Sequence, residues 1–272
     1  MPVLSRCFLV LSLGLLLPMV ASAESRVTRA NGVDIAYTET GSGPPLVLLH
    51  GFGSCRATWT PFVARLAEDY RVIAIDLRGH GASGEFKGAF QFEDAARDLL
   101  ALLDRLKLER VRAMGISAGG MTLLHAATSD PERFEAMAII GATHYFPEQA
   151  RAILRGVPGN LPPEVRQDYE RCATRGAPQV DALLQRFHGL KDNHADIDLS
   201  VEELARIKAR TLLVHGDRDV FFPVDIPVAI YGAIPDAQLW IVPGGDHVPI
   251  FDVNQRAFED VALRFLAGPS SP

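Results

Sequence analysis

The pentapeptide Gly115-Ile116-Ser117-Ala118-Gly119 places one serine between two glycines. Those residue types at that spacing are typical of a nucleophilic serine on a tight turn between a strand and a helix. A pattern this short also arises by chance, and Ser117 would then be only a small polar residue in a glycine-rich loop. An apolar run precedes the motif and a helical pattern follows it, so Ser117 is the candidate nucleophile.

A serine hydroxyl needs a base, usually a histidine that is held in place by a carboxylate. His247 lies in the loop PGGDH after the last predicted strand, at the sheet edge where a serine on such a turn would also lie. The other histidines are predicted in loop turns, on the helix of Ser117, in an insertion or inside a strand: His50, His80, His125, His144, His188, His194 and His215.

The segment LLVHGDRDVFFP offers two carboxylates at the same sheet edge, Asp217 and Asp219. Asp219 lies further into the loop and is better placed to reach a histidine, whereas an aspartate at position 217 more often fixes the turn. The candidate residues then occur in the chain order Ser117, Asp219, His247.

Short apolar runs alternate with amphipathic stretches along most of the chain, which is typical of strand–helix units on a parallel sheet. The predicted fold class is α/β, a mostly parallel doubly wound sheet. The alternation stops over residues 143–205, where short helical patterns are mixed with prolines and glycines. Predicted strands cover 33–40, 46–50, 71–76, 110–116, 134–142, 210–216 and 237–243, and the main predicted helices cover 91–107, 117–130 and 254–267.

Five motifs, HGFG, DLRGHGAS, GISAGG, HGDRD and GGDH, occur in the order known for α/β-hydrolases, and the sequence resembles the serine esterase and lipase-like branch with a helical cap. The resemblance implies a core of 24–142 and 206–272 and a cap or lid at 143–205. It implies that Ser117 is the nucleophile, His247 the general base and then acid, and Asp219 the residue that orients the imidazole. The backbone N–H groups of Phe52 and Ala118 would form the oxyanion hole, without a metal or cofactor.

Residues 1–23 have the pattern of a cleavable signal peptide: Arg6, an apolar run and a small-residue site that predicts cleavage after Ala23. We therefore expect a secreted or periplasmic protein without stable membrane insertion after cleavage. Cys55 and Cys172 remain in the mature chain, and they could pair in an oxidising compartment or stay unpaired. The net charge of −6 without basic runs argues against nucleic acid as a partner.

These observations predict a secreted serine hydrolase that cleaves carboxylic esters of small molecules through an acyl-enzyme. A lactonase or a carbon–carbon bond hydrolase could use the same three residues, and a weakly catalytic ligand receptor could retain them. A dinucleotide-binding oxidoreductase is excluded, because GISAGG lacks the second glycine that lets a pyrophosphate approach and is not the first strand–helix turn. The substrate-binding residues and the oligomeric state are not specified by these motifs.

Overall fold

A computed structural model describes residues 24–159, 161–194 and 198–268. Eight strands form one sheet in the order β1-β2-β4-β3-β5-β6-β7-β8. β1 and β2 pair antiparallel, β2 is antiparallel to β4, and all the other neighbours are parallel. The strands are β1 Ser25–Ala30, β2 Val33–Thr40, β3 Pro45–Leu49, β4 Arg71–Ile75, β5 Val111–Ile116, β6 Phe134–Ile140, β7 Arg210–Gly216 and β8 Ala237–Val242.

Helices cover both faces of this sheet, which confirms the predicted doubly wound α/β class. One buried apolar cluster joins the sheet to α2, α3 and α8, and a second joins its opposite face to α1 and α9. The helices are α1 Thr60–Leu66, α2 Phe92–Arg105, α3 Ala118–Ser129, α4 Glu148–Gly156, α5 Pro163–Cys172, α6 Ala177–Gly189, α7 Val201–Leu204, α8 Asp225–Ala233 and α9 Gln255–Ala267.

The central strands are apolar on both faces because helices cover both sides of them. In β3, for example, Leu46 and Leu48 pack into one cluster while Val47 and Leu49 pack into the other. Since β3, β5, β7 and β8 are parallel, their carboxyl ends meet at one edge of the sheet. The loops that follow these four strands carry Phe52, Ser117, Asp219 and His247.

Residues 143–205, which we call the cap segment, lie between β6 and β7 and contain α4 to α7. A disulfide joins Cys172 at the end of α5 to Cys55 in the loop after β3, one of the two possibilities that the sequence left open. The Gln179 side chain donates hydrogen bonds to the carbonyls of Gly79 and Gly81, both at 2.9 Å. The cap segment is therefore attached to the core covalently as well as by buried hydrogen bonds.

A helix long and apolar enough to span a membrane is not found within the described ranges. The predicted signal peptide at 1–23 lies outside those ranges.

Candidate active site

Ser117 lies at the turn between β5 and α3, in a backbone conformation that is strained for a residue with a side chain. Its φ is 49° and its ψ is −114°, and its N–H donates to the carbonyl of Ile140 at 2.7 Å. A Cβ atom at Gly115 would lie 2.6 Å from the backbone of Gly119, and one at Gly119 would lie 2.5 Å from the carbonyl of Leu49. Both glycines are therefore needed for the close packing that holds this turn.

The loop after β8 brings His247 to the serine. Nε2 of His247 lies 3.0 Å from Oγ of Ser117, and Nδ1 lies 2.8 Å from Oδ2 of Asp219. Because a carboxylate only accepts, Nδ1 carries the proton and the Nε2 lone pair faces the serine hydroxyl. The structure thus brings the three sequence-predicted residues into one hydrogen-bonded chain.

The Asp219 carboxylate is buried, and the protein supplies the donors that keep it charged. Its Oδ1 accepts from the backbone N–H groups of Phe221 at 2.7 Å and Phe222 at 3.2 Å. Burial acts to raise the pKa of this carboxyl, but the hydrogen bonds and charge of His247 and the two backbone donors outweigh it and lower the pKa. Asp217 instead accepts from the N–H of Gly244 at 2.6 Å, as expected of a residue that fixes the turn.

His215 lies beside this chain, which the sequence did not indicate. Its buried Nε2 is 2.8 Å from the carbonyl of Phe222 and 3.5 Å from Oδ2 of Asp219. Burial lowers the pKa of His215, so its imidazole is neutral near pH 7. The rings of Phe221 and Phe222 flank His247 with centroids at 4.9 and 5.4 Å. These neighbours restrict the orientations that His247 can adopt.

The residues predicted for an oxyanion hole both line the cavity next to Ser117: Phe52 and Ala118. Within the described ranges, the backbone N–H of neither residue donates to a protein acceptor. The loop of Phe52 is fixed by His50, whose Nδ1 lies 2.7 Å from the carbonyl of Gly51 and whose Nε2 accepts from the N–H of Leu77 at 3.0 Å. Among the described residues, two with unpaired backbone N–H groups thus lie at the wall of the cavity that contains Ser117.

A cavity of about 510 Å³ opens beside Ser117 and His247 between the core and the cap segment. Its size is in the range usual for small-molecule sites. Both Phe52 and Ala118 belong to its wall, and the rest of the wall comes mainly from apolar side chains of α3, the cap segment and the loops after β7 and β8. The described residues contain no cluster of histidine, cysteine and acidic side chains that could hold a metal ion.

Comparison with known proteins identifies relatives over most of the chain. A family profile described as the alpha/beta hydrolase fold matches residues 44–171. The human protein named serine hydrolase BPHL is 30% identical over 241 residues, which cover 83% of this chain and 81% of the relative. A pimeloyl-[acyl-carrier protein] methyl ester esterase from Chromobacterium violaceum is 29% identical over 243 residues, covering 80% of this chain and 93% of the relative.

Solved structures share the same fold at lower identity. The 2-hydroxy-6-oxo-6-phenylhexa-2,4-dienoate hydrolase from Rhodococcus sp. strain RHA1 aligns with a TM-score of 0.77 at 21% identity, covering 91% of this chain and all of the other. A meta-cleavage product hydrolase from Pseudomonas fluorescens aligns with a TM-score of 0.76 at 21% identity, covering 90% of this chain and 98% of the other.

Proposed function

Because the chain belongs to the α/β-hydrolase fold family, we propose that it is a serine hydrolase that cleaves carboxylic esters through an acyl-enzyme. The observation that carries this proposal is the hydrogen-bonded chain from Ser117 through His247 to Asp219 at the wall of an apolar cavity. The relatives that are named as esterases support the choice of bond.

In the first half of the reaction, Oγ of Ser117 adds to the ester carbonyl carbon while its proton passes to Nε2 of His247. The C=O electron pair moves to the oxygen, and the N–H groups of Phe52 and Ala118 stabilise that oxyanion. When the carbonyl re-forms, the bond to the alcohol oxygen breaks and the alcohol leaves with the proton from His247. The acyl group stays on Ser117.

In the second half, His247 takes a proton from a water molecule as the water adds to the acyl carbonyl. Collapse of that intermediate returns the proton to Ser117 and releases the carboxylic acid. Asp219 stays charged throughout, because its lowered pKa lets it stabilise the imidazolium without accepting the proton. Each oxyanion donor would contribute roughly 3–4 kcal/mol to the lowering of the barrier.

We also propose that residues 24–142 and 206–272 act as the catalytic core, with the cap segment as a separate substrate-covering unit. A further proposal is that the protein functions outside the cytoplasm after cleavage behind Ala23. The disulfide between Cys55 and Cys172 supports this compartment, because such bonds persist in oxidising environments. Sequencing of the mature N-terminus tests it: the chain should start at Glu24, and an intact Met1 would contradict the proposal.

The catalytic proposal is tested with Ser117→Ala on short-chain p-nitrophenyl esters. We expect kcat to fall by about 10⁴-fold or more, because the nucleophile is lost while the fold is kept. Ser129→Ala is the matched control, since Ser129 is exposed at the far end of the same helix. A fluorophosphonate probe should label the wild type and Ser129→Ala but not Ser117→Ala. Retention of most activity in Ser117→Ala would refute the mechanism.

A further inference from the structure

Within the described ranges, no aspartate, glutamate, lysine or arginine lines the cavity beside Ser117. The polar side chains on its wall besides Ser117 and His247 are hydroxyl groups: Ser54, Thr58 and Tyr169. From this we infer that the site selects esters whose acyl chain is uncharged, apolar and of medium length, and that it rejects acyl chains ending in a carboxylate. The inference rests on the proposed ester hydrolysis and specifies its substrate class.

Three helices of the cap segment contribute to the apolar wall. α4 contributes Ala150, Ile153 and Leu154, α5 contributes Val165, and the C-terminal part of α6 contributes Phe187. In the sequence, these short helices could have packed down on the core or closed over a site. The structure turns their apolar faces toward the cavity, so an acyl chain beneath them would replace water on an apolar surface.

The cationic side chains of the cap segment are all engaged elsewhere. Arg151 is buried on α4, but its guanidinium donates to backbone carbonyls, including those of Phe146 at 3.1 Å and Lys191 at 2.8 Å. The other cations pair with acidic side chains or with backbone carbonyls: Arg155, Arg166, Arg171, Arg175, Arg186 and Lys191. A carboxylate in the cavity would therefore meet no described cation.

Burying an unpaired carboxylate costs several kcal/mol even after relaxation, whereas each buried methylene is favourable. A methylene is worth about a threefold to fourfold gain in binding. The Rhodococcus hydrolase described above acts on a dienoate, as its name states, and a substrate with such a charge does not suit this cavity.

The volume of the cavity limits the length of the acyl chain. Each water-sized group occupies roughly 30 Å³, so the cavity of 510 Å³ accommodates a medium-length acyl chain and part of the alcohol.

The test compares p-nitrophenyl acetate, butanoate, hexanoate and hydrogen adipate, each rate being divided by the rate of alkaline hydrolysis. The adipate ester differs from the hexanoate only in a terminal carboxylate in place of a methyl group. We expect kcat/KM to rise roughly tenfold for every two methylenes up to the hexanoate. The adipate ester should react at least about a hundredfold more slowly than the hexanoate.

A cation placed on the wall should relieve this rejection. In Ile153→Arg, a half-buried residue of the wall gains a guanidinium, and we expect the ratio of hexanoate to adipate rates to fall by about tenfold or more. Ala152→Arg is the matched control, because Ala152 is the exposed neighbour on α4 and does not line the cavity. That variant should keep the wild-type ratio.

The outcomes separate this inference from the function on which it rests. Suppose that a fluorophosphonate labels Ser117 but the wild type hydrolyses the adipate ester at a rate within tenfold of the hexanoate rate. The inferred substrate class is then wrong, and the proposed function as an ester hydrolase stands. An unchanged ratio in folded Ile153→Arg would likewise contradict the placement of the acyl chain under α4. If neither labelling nor ester cleavage occurs, the proposed function itself fails. If Ile153→Arg does not fold, the wild-type ratio alone decides.

Discussion

Replacing Asp219 with asparagine should inactivate the protein while leaving its fold intact. The asparagine Oδ1 can still accept from the N–H groups of Phe221 and Phe222, which lie 2.7 and 3.2 Å from the native Oδ1. That orientation turns the NH₂ group toward Nδ1 of His247, which lies 2.8 Å from the native Oδ2. Two donors cannot face each other, so the imidazole must move its proton to Nε2.

A proton on Nε2 faces Ser117 and leaves no lone pair to take the hydroxyl proton. The same exchange of carboxylate for amide in a serine protease lowers kcat by about 10⁴-fold through the wrong tautomer. We expect a loss of that size here, expressed in kcat rather than in KM, because no side chain on the cavity wall is replaced. Stopped assays on p-nitrophenyl butanoate at pH 7 measure it, with thermal unfolding as the check on the fold.

Asp217→Asn is the matched control for this experiment. It changes the same functional group two residues away, and its Oδ1 can still accept from the N–H of Gly244. Activity should therefore remain within about twofold of the wild type, because substitutions at exposed positions usually have small effects. Asp219→Asn with more than a tenth of the wild-type kcat, or Asp217→Asn with a loss of several orders of magnitude, would refute the assignment of the carboxylate.

Two further predictions concern stability. Burial lowers the pKa of His50, His80 and His215 below the ordinary value of 6.5, so the unfolded chain binds more protons and stability is lost as the pH falls below about 6.5. In urea unfolding experiments, the free energy of unfolding should fall with decreasing pH by at most about 4 kcal/mol per pH unit for the three groups. A free energy of unfolding that stays constant from pH 7 to 5 would contradict their buried neutral state. Replacing both Cys55 and Cys172 with serine should lower the free energy of unfolding by roughly 2–5 kcal/mol, since the bond closes 117 residues of chain; an unchanged urea midpoint would contradict that contribution.

The part of the site built by the sheet was predictable from the sequence, because the carboxyl ends of parallel strands must meet at one edge. The predicted strand at 210–216 coincides with β7, and that at 33–40 coincides with β2. Ser117, Asp219 and His247 follow β5, β7 and β8, and the segments between these strands and the three residues are too short to carry them far from the edge. The local sequence pattern and the sheet topology were therefore enough to predict that the three residues lie close together.

Elements whose pattern is weak or contradictory were not predicted. β1 is mostly exposed at the sheet edge, and its sequence SRVTRA is too polar to read as a covered strand. α8 contains a proline and a glycine, which indicate a loop rather than a helix. The sequence places His215 only inside a strand, because its approach to Asp219 depends on how the following loop folds back. It leaves the pairing of Cys55 and Cys172 open, since pairing depends on where the cap segment lies.

The position of the cap segment bears directly on the interpretation of the HGFG motif. A Cβ atom at Gly53 would lie 2.1 Å from Cζ of Tyr169 on α5, and the φ of Gly53 is +78°. The glycine therefore serves the tight loop and at the same time leaves room for a cap side chain against it. One turn further along α5, Cys172 is bonded to Cys55, two residues after Gly53. The loop proposed to stabilise the oxyanion and the helix proposed to cover the acyl chain are thus packed and covalently joined at one place. A change in the position of the cap segment must therefore also move the loop that carries Phe52.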